Sequence, residues 1–214
     1  MIDQLKEAMK GTVEEFHRHP LDFLSERDIQ AWLFIKLRNA TGDLRYSYEA
    51  KGPNSSFGFE KYSKEPFCIH PITTEYYIGK GKRDRFDIAV LSKKPDHNSA
   101  IWCQPCRVAI EIKLWQPGYG APNYRKDVEK LRQYQAYLQK AFLEERKFTG
   151  IAMVFVHPCA EILMPTPISR ETFGDDYPEN GIALHFVTRT GHWWKQQIPD
   201  PLIPEQVGPF VQTP

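Results

Sequence analysis

The sequence predicts an α/β fold with a mixed four- or five-stranded central sheet flanked by helices. Apolar residues recur at helical spacing near the N-terminus and again after residue 127. Strict alternation over 108–115 indicates a strand, and the apolar run 151–156 is typical of a central strand covered on both faces. The strand–helix–strand order of these three segments favours a mixed sheet over an all-helical or all-β fold.

Three helices account for the helical spacing. The first covers 2–16 and is broken by Pro20. The second begins at Ser25, which has an acid three residues on, as helix N-termini often do, and it ends near residues 39–42. The third runs from Asp127 to about Arg146. Its apolar face carries Val128, Leu131, Leu138 and Phe142.

Seven segments are expected to be strands, and a Gly/Ser/Lys-rich loop is expected at 51–66. The strand segments are 44–50, 73–78, 85–91, 108–115, 151–156, 182–188 and 192–197. No internal repeat or domain boundary is evident, so 1–197 is predicted to be a single domain. The five prolines after residue 198 predict a Pro-rich tail over 198–214.

Composition and charge narrow the classes of partner. The 214 residues include 28 basic and 27 acidic side chains, a net charge of +1, so any nucleic-acid surface must be local. No uninterrupted apolar run approaches the ~20 residues that span a bilayer. We therefore expect a cytoplasmic protein with no membrane association.

A group of acids and a lysine on neighbouring strands carries the strongest chemical signal. By the two-residue period, Glu111 and Lys113 lie on the same face of the 108–115 strand, about 7 Å apart. Asp87 stands among apolar residues on the preceding strand and approaches Glu111 if the two strands pair. Two such carboxylates bind a hard cation such as Mg²⁺, and the lysine can orient a water or stabilise charge on phosphorus. Taken alone, a Glu-x-Lys pair also occurs on ordinary solvent-facing strands.

These residues resemble the PD-(D/E)xK nuclease superfamily over about 21–156. The matching stretches are Arg85-Phe86-Asp87, Val108-Ala109-Ile110-Glu111-Ile112-Lys113 and Lys126-Asp127-Val128-Glu129-Lys130-Leu131. The resemblance implies a restriction-endonuclease-like core in which Asp87, Glu111 and Lys113 form the metal and water site. It also implies a further metal-binding and catalytic Glu26, and a polar residue from the third helix, Lys130 or Gln133. Phe86 stands where the family name has proline.

The resemblance implies a Mg²⁺-dependent nuclease of a single nuclease-like domain, with Mn²⁺ as an alternative ion and DNA as the expected substrate. A two-fold homodimer would suit the cutting of both strands. A catalytically silent nuclease-fold module that binds nucleic acid or a protein is the alternative. The intact triad of acid, acid and lysine favours the enzyme.

Residues around the triad have two interpretations each. The basic turn Lys80, Lys82, Arg83 and Arg85 would grip phosphates, or it is a solvated turn. Tyr119 and Tyr124 would stack on bases, or they pin their loop to the core. Glu75 would add a metal ligand, or it is an exposed edge-strand acid.

Other chemistries have weaker signals. Cys103 and Cys106 have zinc-ligand spacing, but Cys68 and Cys159 are single, and a turn with two small thiols is the simpler account. The histidines lack the spacing of a zinc site, and the chain has neither a Gly-rich phosphate loop ending in Lys-Ser/Thr nor a G-x-S-x-G motif.

Overall fold

The structure is a computed structural model that describes residues 2–48, 67–77, 85–93, 105–116, 124–142, 147–161, 181–189 and 192–196. The helices are α1 (Ile2–Arg18), α2 (Glu26–Thr41), α3 (Tyr124–Phe142) and the short α4 (Pro158–Glu161), with a 3-10 turn at Pro20–Asp22. The strands are β1 (Tyr46–Tyr48), β2 (Phe67–Ile69), β3 (Ile72–Tyr77), β4 (Arg85–Leu91), β5 (Cys106–Trp115), β6 (Thr149–Val156), β7 (Gly181–Val187) and β8 (His192–Gln196). The predicted loop 51–66 and tail 198–214 lie outside the described residues.

Within the described residues, strands β3 to β8 form one sheet in sequence order, and β1 and β2 form a separate antiparallel pair. Strand β5 pairs with β6, and β6 with β7, in parallel, whereas the other neighbours are antiparallel. The predicted mixed sheet flanked by helices is confirmed. The sheet has six strands rather than four or five, because β8 pairs with β7 and adds an edge strand.

The sheet separates two apolar clusters. Helices α1 and α2 cover one face, where they pack on Val108, Ile110, Ile112 and Leu114 of β5. Helix α3 covers the other face and packs on Ala109 and Trp115 of the same strand. The alternation in 108–115 therefore predicted both faces correctly. Every residue of β6 is buried, as expected for a central strand covered on both sides.

The ends of α2 follow from local chemistry. The Ser25 hydroxyl accepts a hydrogen bond from the Asp28 amide, and Asp28 Oδ2 accepts one from the Ser25 amide at 2.7 Å. This reciprocal cap fixes the first turn. At the other end, Gly42 adopts a φ of +54°, which glycine tolerates at low cost. Helix α2 is thus anchored at the turn that carries Glu26.

Two local features differ from the prediction. Helix α3 begins at Tyr124, three residues before the predicted start, so Asp127 lies within its first turn. Strand β2 was not predicted, because three residues are too few to show alternation. Among the described residues, no helix has both the length and the apolar character that crossing a bilayer requires.

Candidate active site

The site lies where β4 and β5 stop pairing. Their antiparallel register runs from Leu91 opposite Cys106 to Ile88 opposite Ile110 and ends there. Beyond that pair, Asp87 Oδ2 accepts a hydrogen bond of 2.6 Å from the Ile112 amide. The side chain of Asp87 thus takes the place of a backbone partner, and this contact holds the carboxylate beside β5.

The backbone around Asp87 is also held from α2 and from the edge strand. Gln30 Nε2 of α2 donates a 2.7 Å hydrogen bond to the Asp87 carbonyl and a 3.3 Å bond to Glu75 Oε1. Glu75 has a φ of +50°, a strained value for a residue with a side chain. Such strain often accompanies functional sites, because the surrounding structure must maintain it.

Glu111 is the most buried carboxylate of the group, with 2% of its surface exposed. Its Oε1 lies 2.7 Å from Lys130 Nζ, in an ion pair that joins β5 to α3. Burial, followed by the nearby charge of Asp87, raises the pKa of Glu111 to about 9. Burial also raises the pKa of Asp87, although the Ile112 amide and both lysines oppose that change. Two close carboxylates that resist ionisation are a setting in which a cation would be favourable.

Lys113 lies between two acids from opposite faces of the sheet. Its Nζ is 3.4 Å from Glu26 Oε2 and 3.6 Å from Asp127 Oδ2, and it donates to the Ile112 carbonyl at 3.3 Å. Burial would lower the pKa of Lys113, but four carboxylates, led by Asp127, raise it overall. The lysine is therefore held as an ammonium ion beside Asp87 and Glu111.

Glu26 reaches the site from the capped N-terminus of α2. Its Oε1 accepts a 3.4 Å hydrogen bond from the Leu114 amide, while Oε2 contacts Lys113. The structure therefore brings Glu26 to Lys113, and the metal-binding and catalytic roles that the resemblance implies for Glu26 stay predictions. Its contacts in the described part of the chain are with the lysine and with β5.

The sequence analysis assigned no role to Asp127, which completes the cluster. Asp127 is only 8% exposed, and burial raises its pKa while Lys113 and Lys130 lower it. Its Oδ1 lies 3.9 Å from Lys130 Nζ, one turn along α3. An acid three residues before Lys130 on the apolar face was the available signal. That signal has a second explanation, because acids are also common at the start of a helix.

The charge of the cluster suits a divalent cation. Among the described residues, the carboxyl groups of Glu26, Asp87, Glu111 and Asp127 outnumber the ammonium groups of Lys113 and Lys130 by two, and the raised pKa values of Asp87, Glu111 and Asp127 indicate that a further cation would favour their ionisation. Glu111 Oε1 and Asp127 Oδ2 are buried, and the partners that the structure describes for them are the ammonium groups of Lys130 at 2.7 Å and of Lys113 at 3.6 Å. In the described part of the chain, no three acidic, histidine or cysteine side chains form a ready ligand set. The residues fit Mg²⁺ held by one or two carboxylates and water.

The predicted substrate-binding residues have different surroundings. Lys130 Nζ donates to the Arg85 carbonyl at 2.7 Å as well as pairing with Glu111, so it lies inside the cluster. The Arg85 guanidinium stacks over the Tyr77 ring at 4.3 Å, hydrogen-bonds its hydroxyl and lies 3.7 Å from Glu75. Arg85 is thus on the surface of the edge strands and close to, but not within, the acidic cluster.

Other predicted positions fall outside the cluster or outside the described residues. Gln133 is exposed on α3 and donates to Glu129 Oε1 at 3.0 Å. Tyr124 is buried and packs edge-to-face on Phe186 at 5.4 Å, which agrees with a pinning role. Arg83 and Tyr119, like the other basic residues at 80–82, lie outside the described residues.

The cysteine alternative gains no support from the described residues. Cys106 begins β5 in the core, where burial raises the pKa of its thiol to about 12. Its amide donates to the Tyr134 hydroxyl at 2.8 Å. Cys103 lies outside the described residues, and Cys68 and Cys159 are exposed free thiols.

No family model matches the chain, and the search found no match among curated proteins or solved structures. The restriction-endonuclease-like core therefore remains a prediction, supported by the residues described above.

Proposed function

We propose that the chain is a metal-dependent nuclease that hydrolyses phosphodiester bonds, with DNA as the expected substrate and the cytoplasm as its setting. The observation that carries this proposal is the meeting of Asp87, Glu111 and Lys113 at the point where β4 and β5 separate. The pairing of β4 with β5 does not by itself require three charged groups, each at least partly buried, at the end of the paired region. Burying charged groups is costly unless they are paired, and the pKa values of Asp87 and Glu111 stay raised beside the lysines, so a bound cation would lower that cost.

In this proposal Asp87 and Glu111 hold a Mg²⁺ ion, with Mn²⁺ as a substitute. When bound, the ion supplies Lewis-acid stabilisation of the phosphoryl oxygen and a more acidic bound water. Asp87 is kept in place by the Ile112 amide and, through its backbone, by Gln30. Positioning at this precision is a large part of what such sites contribute to rate.

Lys113 is proposed to face the scissile phosphate. Its ammonium can orient the attacking water or stabilise charge that develops on phosphorus. Glu26 and Asp127 hold this ammonium from opposite faces of the sheet. We assign Glu26 to orienting Lys113 and, when substrate is bound, to the outer ligands of the metal.

One observation favours the alternative of a silent binding module. Lys130 Nζ lies 2.7 Å from Glu111 Oε1, where it already provides a positive charge to that carboxylate. In a silent module this lysine would permanently take the place of the metal ion. In the enzyme Lys130 offsets the burial of Glu111 only in part, because the pKa of Glu111 stays raised to about 9 beside it and a cation would still favour the ionised carboxylate.

A substrate panel tests the proposal. Supercoiled, linear and single-stranded DNA and RNA would be incubated with Mg²⁺, Mn²⁺ or EDTA, using wild type, Asp87→Asn and the control Lys140→Ala. Lys140 is an exposed lysine on α3 outside the cluster. We expect metal-dependent cleavage by wild type and Lys140→Ala, and loss of about 100-fold or more in Asp87→Asn.

The outcomes separate the two functions. Cleavage that persists in EDTA or in Asp87→Asn would refute the assigned site. Binding of nucleic acid without cleavage, unchanged by Asp87→Asn, would favour the silent module. Sedimentation of the active species would show whether it is the homodimer that double-strand cutting suits.

A further inference from the structure

Asp127 is an acid whose position a helix start alone does not explain. Acidic residues are common in the first turn of a helix, where they favour the helix dipole, but there they are usually exposed. Asp127 is 8% exposed, and the contacts of its carboxylate that the structure describes are with ammonium groups. Burial of a carboxylate is unfavourable unless it is paired, so these partners matter.

Those partners are the two lysines of the site. Asp127 Oδ2 is 3.6 Å from Lys113 Nζ, and Oδ1 is 3.9 Å from Lys130 Nζ. Each lysine also contacts a second acid, Glu26 for Lys113 and Glu111 for Lys130. Asp127 therefore contacts both lysines: Lys113, which also pairs with an acid of α2, and Lys130, which also pairs with an acid of β5.

The distances indicate how Asp127 acts on Lys113. The ammonium is 3.4 Å from Glu26 and 3.6 Å from Asp127, so it rests between the two acids and is not tightly paired with either. Without the charge at Asp127, the attraction toward α3 is weaker while that of Glu26 is unchanged, and Lys113 moves toward α2. A shift of about 1 Å in a reacting group can lower a rate about 100-fold.

We propose that Asp127 is a positioning residue that holds Lys113 midway between α2 and α3 and keeps Lys130 on Glu111. This inference rests on the proposed function for its catalytic consequence. Its structural part, the restraint of two ammonium groups by one buried carboxylate, stands apart from catalysis. Asp127 touches neither substrate nor metal in this account and acts through the lysines.

Kinetics provide the first test. Asp127→Asn keeps the shape of the side chain and removes its charge. We expect kcat to fall about 10- to 100-fold with little change in KM. Because the effect of Asp127 on the rate is assigned mainly to its restraint of Lys113, Asp127→Asn should slow the Lys113→Ala variant by much less than it slows the wild type, and the remaining effect measures the restraint of Lys130. Glu129→Gln, an exposed acid on the same helix, is the matched control and should retain the wild-type rate.

Lysine labelling provides a test that needs no activity. Native protein would be treated with trace acetic anhydride, and modification of Lys113 and Lys130 measured by peptide mass spectrometry. We expect both lysines to react several-fold faster in Asp127→Asn than in wild type or Glu129→Gln, because one restraining partner is gone. Asp127→Ala serves in the same assay if the asparagine variant does not fold, as judged by its unfolding transition.

The two results distinguish the failure of each claim. If wild type cleaves nothing yet labelling of the two lysines rises, the proposed function fails and the restraint by Asp127 stands. If labelling is unchanged, or if the double variant is slower by the product of the single effects, the positioning role is overturned.

Discussion

Replacing Glu111 by glutamine tests the electrostatics of the site through stability alone. Glutamine has nearly the same shape as glutamate and no charge to bury. In the wild type, burial and the charge of Asp87 raise the pKa of Glu111 from its ordinary 4.5 to about 9. Between those two values the folded protein holds a proton that the unfolded chain releases, so the free energy of unfolding falls as pH rises.

The size of the effect follows from this pKa difference. One pKa unit corresponds to about 1.36 kcal/mol, so the change from 4.5 to about 9 sets a ceiling of about 6 kcal/mol. From about pH 5 to about pH 8 a single proton can account for about 4 kcal/mol of that ceiling. The pKa of about 9 already includes the opposing effect of Lys130, and local relaxation of the fold reduces the penalty further. We expect Glu111→Gln to gain about 2 kcal/mol over wild type across this range.

Urea unfolding followed by tryptophan fluorescence at about pH 5, 6.5 and 8 measures the difference. The advantage of Glu111→Gln should be smallest at the acidic end and grow with pH. Glu129→Gln, the exposed control on α3, should differ from wild type by a constant amount. If the free energy of unfolding of Glu111→Gln relative to wild type does not change with pH, or falls as pH rises, the raised pKa of Glu111 is contradicted.

Three further changes test other parts of the structure. Gln30→Leu removes the amide that holds the Asp87 carbonyl at 2.7 Å, so it should weaken Mn²⁺ binding in calorimetry and lower stability by about 1 kcal/mol; unchanged affinity would contradict this. Ser25→Ala removes the α2 cap and should cost about 1 kcal/mol in urea unfolding, whereas a neutral result would mean that the cap is not formed. The buried thiol of Cys106, with a pKa raised to about 12, should react with a thiol reagent only after unfolding, whereas exposed Cys159 should react in the native state; labelling of both at one rate would place Cys106 at the surface.

The local residue pattern predicted the strands that carry the site, but it did not predict every side chain that lies in the site. The two-residue period placed Glu111 and Lys113 on one face of β5, and the antiparallel pairing of β4 with β5 brought Asp87 near them, as expected. These features follow from backbone geometry, which short sequences specify well. The reciprocal cap at Ser25 was likewise visible in the sequence.

The remaining features of the site and of the fold depend on contacts between segments that are distant in the sequence. The role of Asp127 could not be assigned from the sequence because its contact with Lys113 joins α3 to β5, and acids are common near helix starts for another reason, the helix dipole. The pairing of Lys130 with Glu111 joins a helix to a strand and leaves no periodic signal. The segment 192–197 is predicted to be a strand, but its place as the sixth strand depends on its pairing with β7, which the local pattern does not specify.

The most direct test of the central claim is the rate of Mg²⁺-dependent phosphodiester cleavage by wild type and by Lys113→Ala, with Lys140→Ala as the matched lysine control. We expect wild type and the control to cut at the same rate, and Lys113→Ala to be slower by about 100-fold or more while still folded. Equal rates for all three proteins would contradict the assignment of the site to Asp87, Glu111 and Lys113.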